Sequence, residues 1–132
     1  MKRLKLVFII LLVSLPAYMP AQQITMPADI SLAFKAGNVD KLSEYLNSTV
    51  ELVILGKEDF YKKSIAQGII RDFFKEYPAT DFVIKHQGGP NDAYYAIGDL
   101  TTKKGSFRVY FLIKRVDSKP LIHQLRIEVN EG

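Results

Sequence analysis

The spacing of apolar residues predicts two helices at the start of the folded part of the chain. Pro27 suits the first turn of a helix, and the apolar residues after it recur at helical spacing until Gly37, which suits a C-cap. These apolar residues are Ile30, Ala33 and Phe34. Asn38 can cap a second, shorter helix that ends near Asn47.

The segment between Ser64 and Pro78 predicts a third helix. Ser64 and Gln67 form a capping-box pattern, in which each side chain bonds the backbone amide of the other residue, so the helix should begin at Ile65. After Ile65, apolar residues lie on one face of the helix and charged residues lie on the other. Pro78 prevents the helix from continuing. Gly68 lowers the stability of a helix, which predicts close packing against a neighbour at that position.

Alternating and β-branched apolar runs predict the strands. The first covers residues 49–55, and Phe60–Tyr61 is available for a short return strand after a turn. Four further strands follow Pro78, at 81–86, 93–102, 106–116 and 121–129. Because short turns join these four strands, they favour an antiparallel meander. The chain is therefore predicted to be an α+β domain in the order α-α-β-α-β-β-β-β.

Residues 1–21 predict a secretory signal peptide. A basic segment, Met1–Lys5, precedes an unbroken apolar run from Leu6 to Val13. The apolar stretch reaches only to about Leu15 before Pro16 stops it, well short of the roughly 20 residues that a membrane-spanning helix needs. The small residue Ala21 is the favoured cleavage point, which leaves residues 22–132 as a single domain. The protein is therefore expected to be exported to the periplasm or the extracellular medium, with no membrane span after signal removal.

Removal of the signal brings the net charge close to zero. Of the 18 basic residues, three lie in residues 1–21, whereas none of the 14 acidic residues does, so the mature chain has 15 basic against 14 acidic residues, or +1. This balance gives no electrostatic attraction to nucleic acid or to an anionic membrane, and nucleic acid is not expected as a partner. The chain also has no cysteine, which excludes disulfides, zinc–thiolate sites and a lipidated cysteine.

The order of elements resembles the nuclear transport factor 2-like fold, also described as cystatin-like, in which a strongly curved sheet wraps over helices to form a cone. Five short segments carry a more specific resemblance: Gly37–Asn38, Ser64–Phe74, His86–Gly88, Ile97–Leu100 and Leu125–Glu128. They are similar to a family of small secreted bacterial proteins catalogued as a domain of unknown function, number 4783. The resemblance implies export and N-terminal helices packed in the concave face of an antiparallel sheet. It implies no activity.

Strand alternation predicts which side chains point into the cone, because alternate residues of a strand face opposite sides. His86 and His123 occupy the same alternate positions as the apolar residues of their strands, so they are predicted to point inward. Tyr94 is a further candidate for contact with a ligand there, since its ring could stack on an apolar molecule. These three residues form the candidate ligand site.

The opposite parity predicts an interface on the outer face of the meander. The candidate residues are Arg108, Tyr110, Leu112, Ile122 and Arg126, with Gln124 beside them. They combine aromatic, aliphatic and arginine side chains on a face that should otherwise be polar, which is the mixture found at protein interfaces. We predict a protein contact here, and a homodimer as its form. The alternative is a solvated sheet face with scattered apolar residues.

Three functions fit this pattern. A non-catalytic binding domain of unknown specificity would take a small apolar ligand in the cone or a protein partner on the sheet. A small enzyme would use His86 or His123 as an acid or base, but no catalytic residue is assigned because no inward carboxylate is predicted to orient either histidine. A purely structural interaction module with a filled cone is the third.

Neither a metal site nor a cofactor site is indicated by the sequence. The two histidines are 37 residues apart, which matches no local ligand motif, and no carboxylate partners are evident. The simplest interpretation is that both histidines are structural and make hydrogen bonds with backbone carbonyls.

Overall fold

The computed structural model describes residues 26–90 and 92–131 as three helices and six strands. The helices are α1 (Ala28–Ala36), α2 (Val39–Ser43) and α3 (Lys63–Glu76). The strands are β1 (Leu46–Ile54), β2 (Lys57–Lys62), β3 (Ala79–Gly88), β4 (Ala93–Thr102), β5 (Gly105–Val116) and β6 (Lys119–Val129). The predicted order of elements is confirmed, and the return strand proposed at Phe60–Tyr61 is part of β2.

The six strands form one sheet in the order β2-β1-β6-β5-β4-β3. Strands β3 to β6 are the predicted antiparallel meander, and β1 and β2 form an antiparallel hairpin. The hairpin joins the meander through a parallel pairing of β1 with β6. The sheet is therefore mixed, and the last strand of the chain lies near its middle.

The helices fill the concave side of the sheet. Phe34 of α1 is fully buried, and its ring centroid lies 4.9 Å from that of Phe82 and 5.4 Å from that of Phe111. Phe73 of α3 makes a second aromatic contact, at 5.2 Å from Phe107. Because the helices present large aromatic side chains to the sheet, the interior of the cone is packed with side chains.

The ends of the first two helices follow local capping rules. The backbone of Gly37 has the left-handed conformation (φ 64°) that ends α1, and the Oδ1 atom of Asn38 accepts a hydrogen bond of 3.1 Å from the Lys41 amide at the start of α2. Helix α2 ends at Ser43 instead of near Asn47, because Leu46 already belongs to β1.

The predicted start of α3 is wrong. The helix begins at Lys63, Lys62 is its N-cap residue, and no side chain caps it. The Gln67 side chain donates to Asp40 at 3.2 Å, so it does not complete a capping box with Ser64. The close packing predicted at Gly68 is also absent, since a Cβ atom built there meets nothing within 4 Å.

The predicted signal peptide lies outside the described residues. In the part of the chain that the structure describes, none of the helices has the length and apolar character needed to cross a membrane.

Candidate functional site

The outer face of the sheet, which points away from the helices, carries the residues predicted to form an interface. In β5 the alternation is as predicted: Phe107, Val109, Phe111 and Ile113 are buried. Arg108, Tyr110 and Leu112 therefore occupy the outer face.

Four half-buried side chains meet in the middle of this face, and we call them the apolar centre. They are Tyr95, Ile97, Tyr110 and Leu112. Tyr95 pairs with Leu112 and Ile97 with Tyr110 across β4 and β5, and the rings of Tyr95 and Tyr110 stack with their centroids 6.3 Å apart. Tyr95 and Ile97 were not among the predicted interface residues, although alternation along β4 places them on the same parity.

Charged side chains of both signs surround the apolar centre. Arg126 lies opposite Tyr110 on β6, and its Nη1 atom is 3.1 Å from the Oε2 atom of Glu128. Arg108 on β5 lies directly opposite Asp99 on β4 and Glu128 on β6. A shallow groove of about 310 Å³ runs across this region and is lined by Ile97, Arg108, Tyr110, Gln124, Arg126 and Glu128.

The hairpin of β1 and β2 extends the outer face with a pair of carboxyl groups. Gln124 donates a hydrogen bond of 3.1 Å to Glu51. A hydrogen bond with Glu58 raises the pKa of Glu51, and partial desolvation and the negative charge of Glu58 raise it further. The positive charge of Arg126 acts in the opposite direction and lowers this pKa. Val53, between Glu58 and Arg126 in the register, is only 4% exposed. This edge of the outer face therefore presents polar groups that are already paired, and Val53 adds almost no exposed apolar area to it.

Ile122 is not an outer-face residue, so its assignment to the interface is wrong. Ile113 pairs with Ile122 and Leu112 with Gln124, which leaves His123 as an extra residue in β6. This bulge shifts the alternation by one residue, so Ile122 points into the core and is fully buried. Downstream of the bulge, Leu125 and Ile127 face the core as predicted.

The predicted inward orientation of His86 is also wrong. In β3, Ile84 pairs with Gly98 and His86 with Ile97, so Lys85 is an extra residue and the alternation shifts. His86 is consequently exposed beside Ile97 on the outer face.

His123 lies at the bulge of β6 and is only partly buried. Its Nδ1 atom is 3.0 Å from the backbone oxygen of Leu121, a contact with a backbone carbonyl of the kind expected for a structural histidine. The inward orientation predicted for it assumed the regular alternation that the bulge interrupts.

Tyr94 packs against the edge of the core, and its hydroxyl donates a hydrogen bond of 2.5 Å to Gln87. Burial raises the pKa of this hydroxyl. The three predicted ligand-binding residues do not share one pocket wall, because Tyr94 packs on the core side of the sheet and His86 is on the outer face.

The interior offers little chemistry among the described residues. The buried polar side chains there are Ser43 and Thr102, whose hydroxyls donate to backbone carbonyls at 2.7 and 2.8 Å. Within residues 26–90 and 92–131, no group of three or more histidine, aspartate, glutamate or cysteine side chains is arranged to hold a metal ion.

Comparisons with known proteins agree with this architecture. A crystal structure of a DUF4783 family protein from Bacteroides uniformis superimposes with a TM-score of 0.78 at 34% identity, and the match covers 82% of this chain and 100% of that one. Two more distant structures share the fold alone. An NTF2-like protein of unknown function from Shewanella baltica has a TM-score of 0.61 at 14% identity, covering 80% of this chain and 88% of that one. A protein with a cystatin-like fold from Nostoc punctiforme has a TM-score of 0.55 at 13% identity, covering 80% and 86%.

The family comparison covers almost the whole described domain. No curated protein matches the sequence. Residues 27–128 match the model of the family described as Domain of unknown function (DUF4783). With this match and the 34% identity to a solved member, the chain belongs to the DUF4783 family.

Proposed function

We propose that this protein is an exported, non-catalytic binding domain that acts through the outer face of its sheet, where a second copy of the chain binds. The observation that carries the proposal is the apolar centre. Two tyrosines, an isoleucine and a leucine lie side by side on the face of the sheet that points away from the three described helices. Aromatic and aliphatic residues grouped in this way are typical of the middle of a protein interface.

The charges around the apolar centre support a second copy of the chain as the partner. A two-fold interface brings the same surface of two molecules together, so each charge must find its opposite on an identical surface. Arg108 and Arg126 lie on the same face as Glu128 and Asp99. A face with both signs can satisfy this requirement, whereas a face with one sign would repel its own copy.

The outer face is preferred over the cone as a binding site because the cone is filled. Phe34, Leu100 and Phe111 are fully buried within it, and His86 is exposed on the other side of the sheet. A ligand in the cone would have to displace packed side chains, and a cavity enzyme could not use His86 as an inward acid or base.

We expect Tyr110→Glu to convert a dimer into a monomer. The substitution removes the ring that stacks on Tyr95 and places a charge at the middle of the proposed contact, where burial would cost it hydration. Sedimentation velocity at high micromolar concentration should give a dimer for the wild type and a monomer for the variant. Leu32→Glu adds the same charge at an exposed position of α1 and should leave the dimer intact. A wild type that sediments as a monomer, indistinguishable from Tyr110→Glu, would contradict the proposal.

Export has its own test. If residues 1–21 are a signal peptide, the protein recovered outside the cytoplasm should begin at Gln22. Intact-mass and N-terminal peptide analysis of the exported protein measure this directly. A chain that is found only in the cytoplasm, with Met1 and the basic segment retained, would contradict the proposal of export.

A further inference from the structure

A second groove lies at one end of the sheet, between α3 and the turn that joins β1 to β2. It has a volume of about 320 Å³, at the lower end of the range for small-molecule sites. Its apolar lining comes from Ile54, Ile69, Phe73 and Tyr77. A groove of this volume and lining can hold a small molecule with an apolar body.

The apolar lining is partly aromatic. The ring centroid of Tyr77 lies 5.0 Å from that of Phe73 and 4.8 Å from that of Phe107. Tyr77 is half-buried, so its ring is held by these neighbours and still borders the groove. An aromatic ring in this position can pack against an apolar group and can also attract a cation to its face.

Two carboxylates border the same groove. Asp72 and Glu76 lie one turn apart on α3, and neither makes an ion pair within 4.0 Å to another described residue. Lys57 borders the groove from the hairpin, so the charged side chains of the groove carry a formal charge of −1 in total.

The position of these carboxylates in the helix also favours a cation. Helix α3 ends at Glu76, and the backbone carbonyls at a helix C-terminus carry partial negative charge. Carboxylates are disfavoured at this end of a helix, and a cation is favoured there. Two acidic side chains, the helix C-terminus and an aromatic ring thus attract the same kind of group.

The turn beside the groove has an unusual residue. Leu55 has φ 51° and Gly56 has φ 88°, which makes a two-residue hairpin turn with both residues in the left-handed region. Asparagine, aspartate and glycine are the usual choices for the first of these positions, because a leucine side chain is strained there. Leu55 is nonetheless 41% exposed and borders the groove, so its side chain adds apolar surface where a ligand would contact it.

We propose that this groove binds a small amphipathic amine, with its apolar or aromatic body against Tyr77 and Ile69 and its ammonium group beside Asp72 and Glu76. This site is separate from the apolar centre of the outer face, and it does not depend on self-association.

The proposal can be tested with phenethylamine and 3-phenylpropanoate, two probes of similar shape and opposite charge, followed by two-dimensional NMR of the full mature chain. Phenethylamine is expected to shift the amide signals of residues 54–57 and 69–77 saturably at millimolar concentration, and 3-phenylpropanoate to bind about tenfold more weakly or not at all. Equal binding of the two probes, shifts elsewhere on the protein, or no saturable shift with either probe would overturn the proposal.

Matched variants within the groove separate the charge effect from shape. Asp72→Asn together with Glu76→Gln should weaken phenethylamine binding about tenfold, since each exposed carboxylate contributes about threefold. Lys57→Gln removes the opposing charge and should strengthen binding of the same probe. All three positions are exposed, so the folded state of each variant can be verified from its own spectrum. If the double variant, Asp72→Asn with Glu76→Gln, binds phenethylamine as well as the wild type does, the proposal that these carboxylates bind the ammonium group is overturned.

Discussion

Replacing Phe34 with alanine is expected to destabilise the domain by about 3 to 5 kcal/mol, the range for a fully buried phenylalanine. The ring of Phe34 is fully buried and lies against both Phe82 of β3 and Phe111 of β5. Its removal would leave a cavity between α1 and the sheet, and the surrounding strands are tied by hydrogen bonds and can close only part of it. Urea unfolding followed by circular dichroism measures the loss.

A control for this substitution is available on the same helix. Leu32 is 60% exposed, so Leu32→Ala should change the free energy of unfolding by less than about 0.5 kcal/mol. Similar losses for the two variants would mean that α1 does not present Phe34 to the core.

Adding one methyl group at Gly98 is expected to destabilise the domain by about 1 to 3 kcal/mol, the usual effect of overpacking a filled core. A Cβ atom at this position would lie 2.6 Å from the ring of Phe82 and 2.8 Å from the backbone oxygen of Val83. The ring is itself packed against Phe34, and the oxygen belongs to the neighbouring strand, so neither can move away easily. Gly98→Ala therefore forces β3 and β4 apart.

The same methyl group at Gly68 should have the opposite effect. This glycine is exposed within α3, and a Cβ atom there meets nothing within 4 Å. Gly68→Ala should stabilise the domain by up to about 1 kcal/mol through helix propensity alone. Thermal or urea unfolding of both variants tests the pair, and a change of the same sign for both would contradict the packing described around Gly98.

Much of the fold could be predicted from the spacing of apolar residues. The buried positions of α1 and the alternation along β5 are regular, so local periodicity is enough to identify them. The parallel pairing of β1 with β6 leaves no such local signal, because it joins segments that are distant in the sequence.

The errors at the candidate site have one physical cause. Strand alternation assumes one residue per step, and an extra residue at Lys85 and another at His123 each reverse it locally. His86 and Ile122 consequently change faces, whereas Tyr110 and Arg126, in regular stretches, do not. The position of a bulge depends on the curvature of the whole sheet, which no short sequence pattern specifies.

The error at α3 has a different cause. A capping box is a local preference worth about 1 kcal/mol, and the way in which the helix is joined to the preceding strand can override it. Strand β2 ends at Lys62 and α3 begins at Lys63 without a linker. The extended backbone of Lys62 (ψ 152°) therefore fixes the start of the helix, and Ser64 is already inside it.

The central place of β6 has a consequence for how the chain folds. The β1–β2 hairpin and the β3–β6 meander each consist of consecutive strands, so each can assemble from nearby segments. The two parts are joined only when β6, already the last strand of the meander, pairs with β1. That step closes a loop containing α3 and most of the meander, and such long-range closure is slow compared with hairpin formation. We therefore expect the domain to complete its core only in a late, cooperative step, after the final strand has become available.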